Sequence, residues 1–108
     1  MVKVILGYDI KRGITVEEFE RWLREIHVPD LRKIPGLKKV VLNTVKGAVM
    51  GDATFYRISE LHFDHFEAFE KGQKWRQENL FLGERDPKGK IDFKFYVVCE
   101  VEEVILKE

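Results

Sequence analysis

The sequence holds one cysteine, Cys99, so no disulfide can close within the chain. A lone thiol in an apolar strand reads as a small core side chain, suited to a reducing cytoplasm. Charge of one sign is equally scarce, because 19 Lys and Arg balance 19 Asp and Glu. With no net field, neither nucleic acid nor an anionic membrane is an expected partner. No apolar run is long enough to span a bilayer, and the stretch Met1–Gly7 lacks the length and cleavage site of a signal peptide. Asn, Gln and Cys are few beside Lys and Glu, a usage met in thermophiles. There is no Gly-rich phosphate loop and no spacing of Ser, His and Asp that marks a triad. His62 and His65 straddle a strand-to-helix corner, which gives no convergent metal set, so neither cofactor nor metal is expected.

What is present is the composition of a folded globule, 44% hydrophobic and 35% charged over 108 residues, and it predicts one domain spanning 1–108. Residues 2–9 alternate Val2, Val4, Leu6, Tyr8 against Lys3, Ile5, Gly7, Asp9, the period of a strand. Thr15 and Glu18 form a capping-box pattern that starts a helix at Val16, with Val16, Phe19, Leu23 and Ile26 along one stripe. Pro29 removes a donor from that helix and predicts a kink or break near His27 and Val28, the helix ending by Pro35–Gly36. Residues 37–45 and 53–63 read as two hairpin-linked strands. Asp64 with Glu67 signals the cap of a second helix, which Gly72 is expected to weaken before it resumes through Trp75 to Phe81. Asp86–Gly89 turns the chain into a last strand at 91–101. The order is β-α-β-β-α-β, and it predicts an α+β, ferredoxin-like fold: a four-stranded antiparallel sheet with two helices on one face.

Helices cover one face of such a sheet, and a monomer needs the other face polar. Val4, Leu6, Phe55, Leu61, Phe93, Phe95, Val97 and Cys99 are assigned to the helix side, which leaves Ile5, Tyr56, Ile58, Tyr96 and Val98 opposite. Five apolar side chains on the uncovered face predict a homodimer that closes face to face, a dimeric α/β barrel.

Several short motifs then fall in order. Glu25-Ile26-His27-Val28-Pro29 precedes Ile34-Pro35-Gly36-Leu37 and Asn43, and Ser59-Glu60-Leu61-His62-Phe63-Asp64 leads into the second helix. Over about residues 2–101 this resembles the EthD family of dimeric α+β barrel proteins. That family has a histidine two residues before proline, then Pro-Gly-Leu, an aromatic and an asparagine, and later Glu-Leu-aromatic-Phe-Asp. Here Val40 or Val41 stands in place of the tyrosine usual before the asparagine, and His62 stands where Trp or Tyr is commoner. The resemblance implies the fold and the dimer. The superfold hosts cofactor-free monooxygenases, isomerases, cyclases, dehydratases and ligand-binding modules alike.

His27 is the candidate catalytic residue, an imidazole beside the apolar stripe at a proline break. The competing reading is a structural histidine that serves the backbone carbonyl freed by Pro29. Arg57 and Ser59 interrupt the apolar face of an inner strand; Arg57 needs an anion, either from a substrate or from a helix acid such as Glu25 or Asp30. Asn43 is a candidate to orient His27 or a ligand, or else satisfies a turn. Glu60 and His62 point the same way on the opposite face with Tyr56, as an acid-base pair or as a register-setting ion pair between subunits. The functional expectation is a cofactor-independent isomerase, cyclase or lyase for a small apolar oxygenated molecule, working by histidine acid-base catalysis. The alternative is a non-catalytic ligand-binding or stress-associated dimer.

Overall fold

The computed structural model of the chain describes residues 1–52 and 55–107. Strand β1 (Val2–Ile10) is followed by helix α1 (Val16–Trp22), a π-helical turn (Leu23–His27) and helix α2 (Val28–Leu31). Strands β2 (Leu37–Thr44) and β3 (Arg57–Phe63), helix α3 (Phe66–Asn79) and strand β4 (Ile91–Glu100) complete the chain. The four strands lie in the order β2-β3-β1-β4, every neighbouring pair antiparallel, as a split βαβ unit requires. Among the described residues no helix is long and apolar enough to cross a membrane.

The Thr15 hydroxyl caps α1 by accepting the Glu18 N–H at 3.1 Å, as the sequence pattern predicts. The expected break at Pro29 takes another form. Helical backbone continues from Val16 to Leu31, but ahead of the proline it widens by one residue, the Val28 N–H bonding to the Leu23 carbonyl. The wider turn absorbs the missing proline donor without ending the helix.

Helix α3 corrects two expectations. Its cap is His65 rather than Asp64: the His65 Nδ1 accepts the Ala68 N–H at 3.1 Å. Gly72 does not weaken the helix, which runs unbroken through it. A Cβ at Gly72 would sit 3.0 Å from the Phe63 ring and 3.1 Å from Ile34, so the missing side chain is what lets α3 lie this close to its neighbours.

Strand β3 is shorter than expected. It begins at Arg57; Ala53 and Thr54 lie outside the described residues, and Phe55 and Tyr56 form a bend. The core is the helix-facing side of β1 and β3 packed on α1, with Val4, Tyr8, Phe19 and Leu23 almost wholly excluded from solvent.

The face assignment of β4 is corrected by a bulge. Gly7 pairs with Phe95 and Tyr8 with Phe93, so Lys94 is skipped and the alternation shifts by one residue. Tyr96 and Val98 therefore lie opposite Leu6 and Val4 on the helix side, while Phe95, Val97 and Cys99 lie with Gly7, Ile5 and Lys3 on the open face. Phe55 stacks edge-on against Phe95, also on the open face, and Tyr56 points to the helices, bonding Glu20. Ile5 and Ile58 are on the open face, as predicted. The uncovered surface is no less apolar for the exchange, because Val41, Ile5, Ile58, Phe95 and Val97 share it.

Candidate functional site

The residues singled out in the sequence separate onto the two faces of the sheet. Lys3, Asn43, Glu60 and His62 gather on the open face, where Glu60 is the hub. Its carboxylate accepts from Asn43 Nδ2 at 3.0 Å and Lys3 Nζ at 3.3 Å, and lies 3.0 Å from His62 Nε2. The hydrogen bond from Asn43, with those of Lys3 and His62, holds the carboxyl below its ordinary range against the effect of desolvation. Asn43 is thus tied to Glu60 across the strands rather than to His27. His62 Nδ1 is buried and unpartnered.

His27, Arg57, Ser59 and Tyr56 lie on the helix side. Arg57 is buried, and its anion is Glu20 of α1, at 3.1 Å, rather than Glu25 or Asp30. The Tyr56 hydroxyl donates to the same carboxylate at 3.1 Å, and Arg57 also reaches Thr44. This cluster staples α1 to the start of β3. With its charge paired, Arg57 does not line the space beside His27.

That space lies between the sheet and the π turn. Leu6, Tyr8 and Ser59 form its floor, Leu23, His27 and Leu31 its helical wall, and Arg76, Pro87 and Phe93 its outer side. Its free volume is about 20 Å3, room for a single water. A second hollow of about 200 Å3, lined by Gln73, Arg76, Phe81, Pro87, Lys88, Phe93 and Tyr96, shares Arg76, Pro87 and Phe93 with it and opens to solvent. The Tyr8 hydroxyl and Ser59 Oγ are 3.0 Å apart in the floor. Burial raises the Tyr8 pKa, outweighing the Ser59 hydrogen bond, so its phenol stays a neutral donor.

His27 is displayed by the π turn, its ring stacked on Trp22 with centroids 4.7 Å apart. The Trp22 indole in turn donates to the Glu84 carbonyl at 2.8 Å, and Asp30 bonds Arg85, which fastens the segment after α3 over the site. Desolvation, reinforced by the positive charge of Arg76 and opposed by Asp30, lowers the His27 pKa from 6.5 to about 4. The imidazole is a free base at neutral pH. Among the described residues it makes no hydrogen bond to the Glu25 carbonyl, and its ring rests on Trp22.

A stability prediction follows from the sign of this shift. Between pH 6.5 and about 4 the unfolded chain binds a proton at His27 that the folded chain refuses, so stability is full above that window and falls through it. The loss amounts to about 3 kcal/mol. Urea midpoints measured from pH 7 to pH 4 should drop accordingly, and the drop should be largely absent in His27→Gln. An equal fall in both proteins would show that His27 is not the group responsible.

Sequence reasoning missed Tyr8 and Arg76. Tyr8 sat in a core stripe with nothing to distinguish its hydroxyl. Arg76 sat among the polar residues of α3, and the side chains that bury it, Phe81, Pro87, Phe93 and Tyr96, reach it only in the tertiary structure.

The architecture defines a ferredoxin-like α+β domain with a small apolar cavity under its helices, whose lining includes His27, Tyr8 and Ser59. The EthD domain family matches residues 11–80, and the chain belongs to that family. A comparison with curated proteins finds no match. Among solved structures, an ethyl tert-butyl ether D (EthD) family protein of Bacillus halodurans is 22% identical, with a TM-score of 0.65 over 94% of this chain and 99% of the other. An EthD-like protein of Ralstonia eutropha is 16% identical, with a TM-score of 0.66 over 94% of each chain. HapK of Hahella chejuensis is 10% identical, with a TM-score of 0.65 over 100% of this chain and 99% of the other. At these identities the likeness establishes the shared fold.

Proposed function

We propose that the protein is a cofactor-independent enzyme that moves a proton on a small, largely apolar, oxygenated molecule, with His27 as the base, in an isomerisation, cyclisation or elimination. The observation that carries this reading is an imidazole lining an apolar cavity whose floor holds the Tyr8–Ser59 hydroxyl pair, with burial lowering the imidazole pKa. In such a step the His27 nitrogen takes a proton from a carbon next to a carbonyl, and the C–H electron pair moves into the enolate. A neutral hydroxyl of Tyr8 or Ser59 then hydrogen-bonds the developing oxyanion. Arg57 and Asn43, expected beside His27, are bound to Glu20 and Glu60; Arg57 contributes through the α1 staple and Asn43 through the open-face cluster. Exchange of the C1 protons of 2-tetralone for deuterium, followed by proton NMR, tests the base directly. The protein should accelerate it, and a rate equal to buffer would remove the reading.

The second reading, a non-catalytic ligand-binding or stress-associated dimer, is favoured by one observation: the space beside His27 admits one water until the outer wall of Arg76, Pro87 and Phe93 moves. Saturable binding of 2-tetralone without exchange would select it.

On either reading we propose a homodimer in the cytoplasm, closed through the open face. Ile5, Ile58, Phe95 and the 46% exposed Val97 give that face its driving force. The Phe95 ring lies directly on Gly7, where a Cβ would come within 2.2 Å of it. Gly7→Val should therefore push the ring outward and weaken self-association by roughly tenfold or more, as an overpacked interface of this kind costs about 1–3 kcal/mol. Sedimentation equilibrium reads the change, and a monomeric parent protein at micromolar concentration would overturn the dimer.

A further inference from the structure

Arg76, 5% exposed, is a buried charge on the helix side without a charged partner among the described residues. Its acceptors are neutral, the Tyr96 hydroxyl at 2.6 Å and Gln73 Oε1 at 3.4 Å, and its Nε is buried with no partner. The other buried arginine, Arg57, has Glu20, and the buried carboxylate nearest in the chain to His27, Asp30, is paired with Arg85 and Lys33 through Oδ1, its Oδ2 buried without a partner among the described residues. A guanidinium withdrawn from water without an anion is costly, and its planar fork of donors is suited to take up an anion that arrives from outside.

Its position says what that anion is attached to. Arg76 stands in the wall shared by the inner cavity and the outer hollow, so the same group is within reach of a molecule seated in either. The hollow is walled by Phe81, Phe93 and Tyr96, and Lys88 lies over the Phe81 ring at 5.2 Å, a second cation at its mouth. Flat aromatic walls with one deep cation suit a flat ring bearing one negative group, and the planar guanidinium fork matches a carboxylate.

We propose that Arg76 is the anion-binding residue of this site and that its ligand is an aromatic monocarboxylate, the ring between Phe81, Phe93 and Tyr96 and the carboxylate on Arg76. This rests on the reading of the cavity as a ligand site. It also gives His27 a second state. Desolvation is the main cause of the depressed imidazole and the Arg76 charge adds to it; a bound carboxylate offsets that second part, so the ligand itself makes the base somewhat stronger.

The test compares 2-naphthoate with neutral 2-naphthamide by isothermal titration calorimetry, with the His27 ring followed by NMR. The carboxylate should bind at least tenfold tighter than the amide, and naphthoate alone should raise the pH at which the His27 ring titrates. Arg76→Gln should abolish the preference while amide affinity stays within twofold, and Arg76→Lys should keep part of it. Equal affinities in the parent protein, with the His27 ring perturbed by both, would overturn the anion assignment and leave the ligand site standing. No binding of either compound would overturn both. The parent-protein comparison needs no substitution, so a poorly folding variant does not remove the test.

Discussion

His27→Gln should slow the deuterium exchange of 2-tetralone by about 10²–10⁴-fold, the usual worth of a positioned general base. Glutamine keeps roughly the volume that rests on Trp22, so the wall of the cavity survives while its proton acceptor is lost. An imidazole that protonates only near pH 4 is always available but is a weak acceptor in the resting protein. Its strength grows during the reaction, because negative charge developing on the substrate oxygen offsets the pull of Arg76 and favours the imidazolium. The parent rate should accordingly hold level from neutral pH downward and fall only as His27 titrates. A glutamine variant that exchanges as fast as the parent, with an unchanged circular dichroism spectrum, would take His27 out of the chemistry.

Phe19→Ala should remove about 3–5 kcal/mol of stability, the range for truncating a wholly buried phenylalanine. Phe19 has no exposed surface, and its ring meets those of Tyr8, Trp22 and Tyr56 at centroid separations of 6.1, 5.8 and 5.9 Å. Each neighbour belongs to the site or its support: Tyr8 in the floor, Trp22 under His27, Tyr56 on Glu20. Rigid aromatic rings cannot collapse into the vacated volume, so the cavity term is felt nearly in full. Against a total of about 5–15 kcal/mol for a domain, this is enough to populate unfolded chain at moderate temperature. Equilibrium urea unfolding measures it. A loss under about 1 kcal/mol, the ordinary size for a point substitution, would mean that the ring is not the keystone its contacts suggest.

The element order was legible because each element advertised itself locally. The Thr15 cap, the alternation of β1 and the turn before β4 carry their geometry in a few adjacent residues. The position of His27 beside the helix stripe and ahead of Pro29 was legible too, and the structure has its ring on Trp22 at the inner cavity. The faces of β4 were not. Alternation assigns side chains by parity, and a bulge between two paired strands changes parity without leaving a mark on the sequence of β4 itself. Arg76 was hidden for a related reason, that a charge at a helix position facing another element looks the same in sequence as one facing water. Asn43 and Arg57 were placed on the correct strands, but the partners that occupy them, Glu60 and Glu20, are tertiary facts.

The wide turn at Leu23–His27 gives the chain an unusual sensitivity. In a regular helix each residue advances the ladder by about 100°, and here one residue is held outside that count. Where the imidazole aims is thus governed by how many residues precede it, more than by which ones they are. Deleting a single position there would swing His27 away from the floor and turn the preceding helical stretch on its axis.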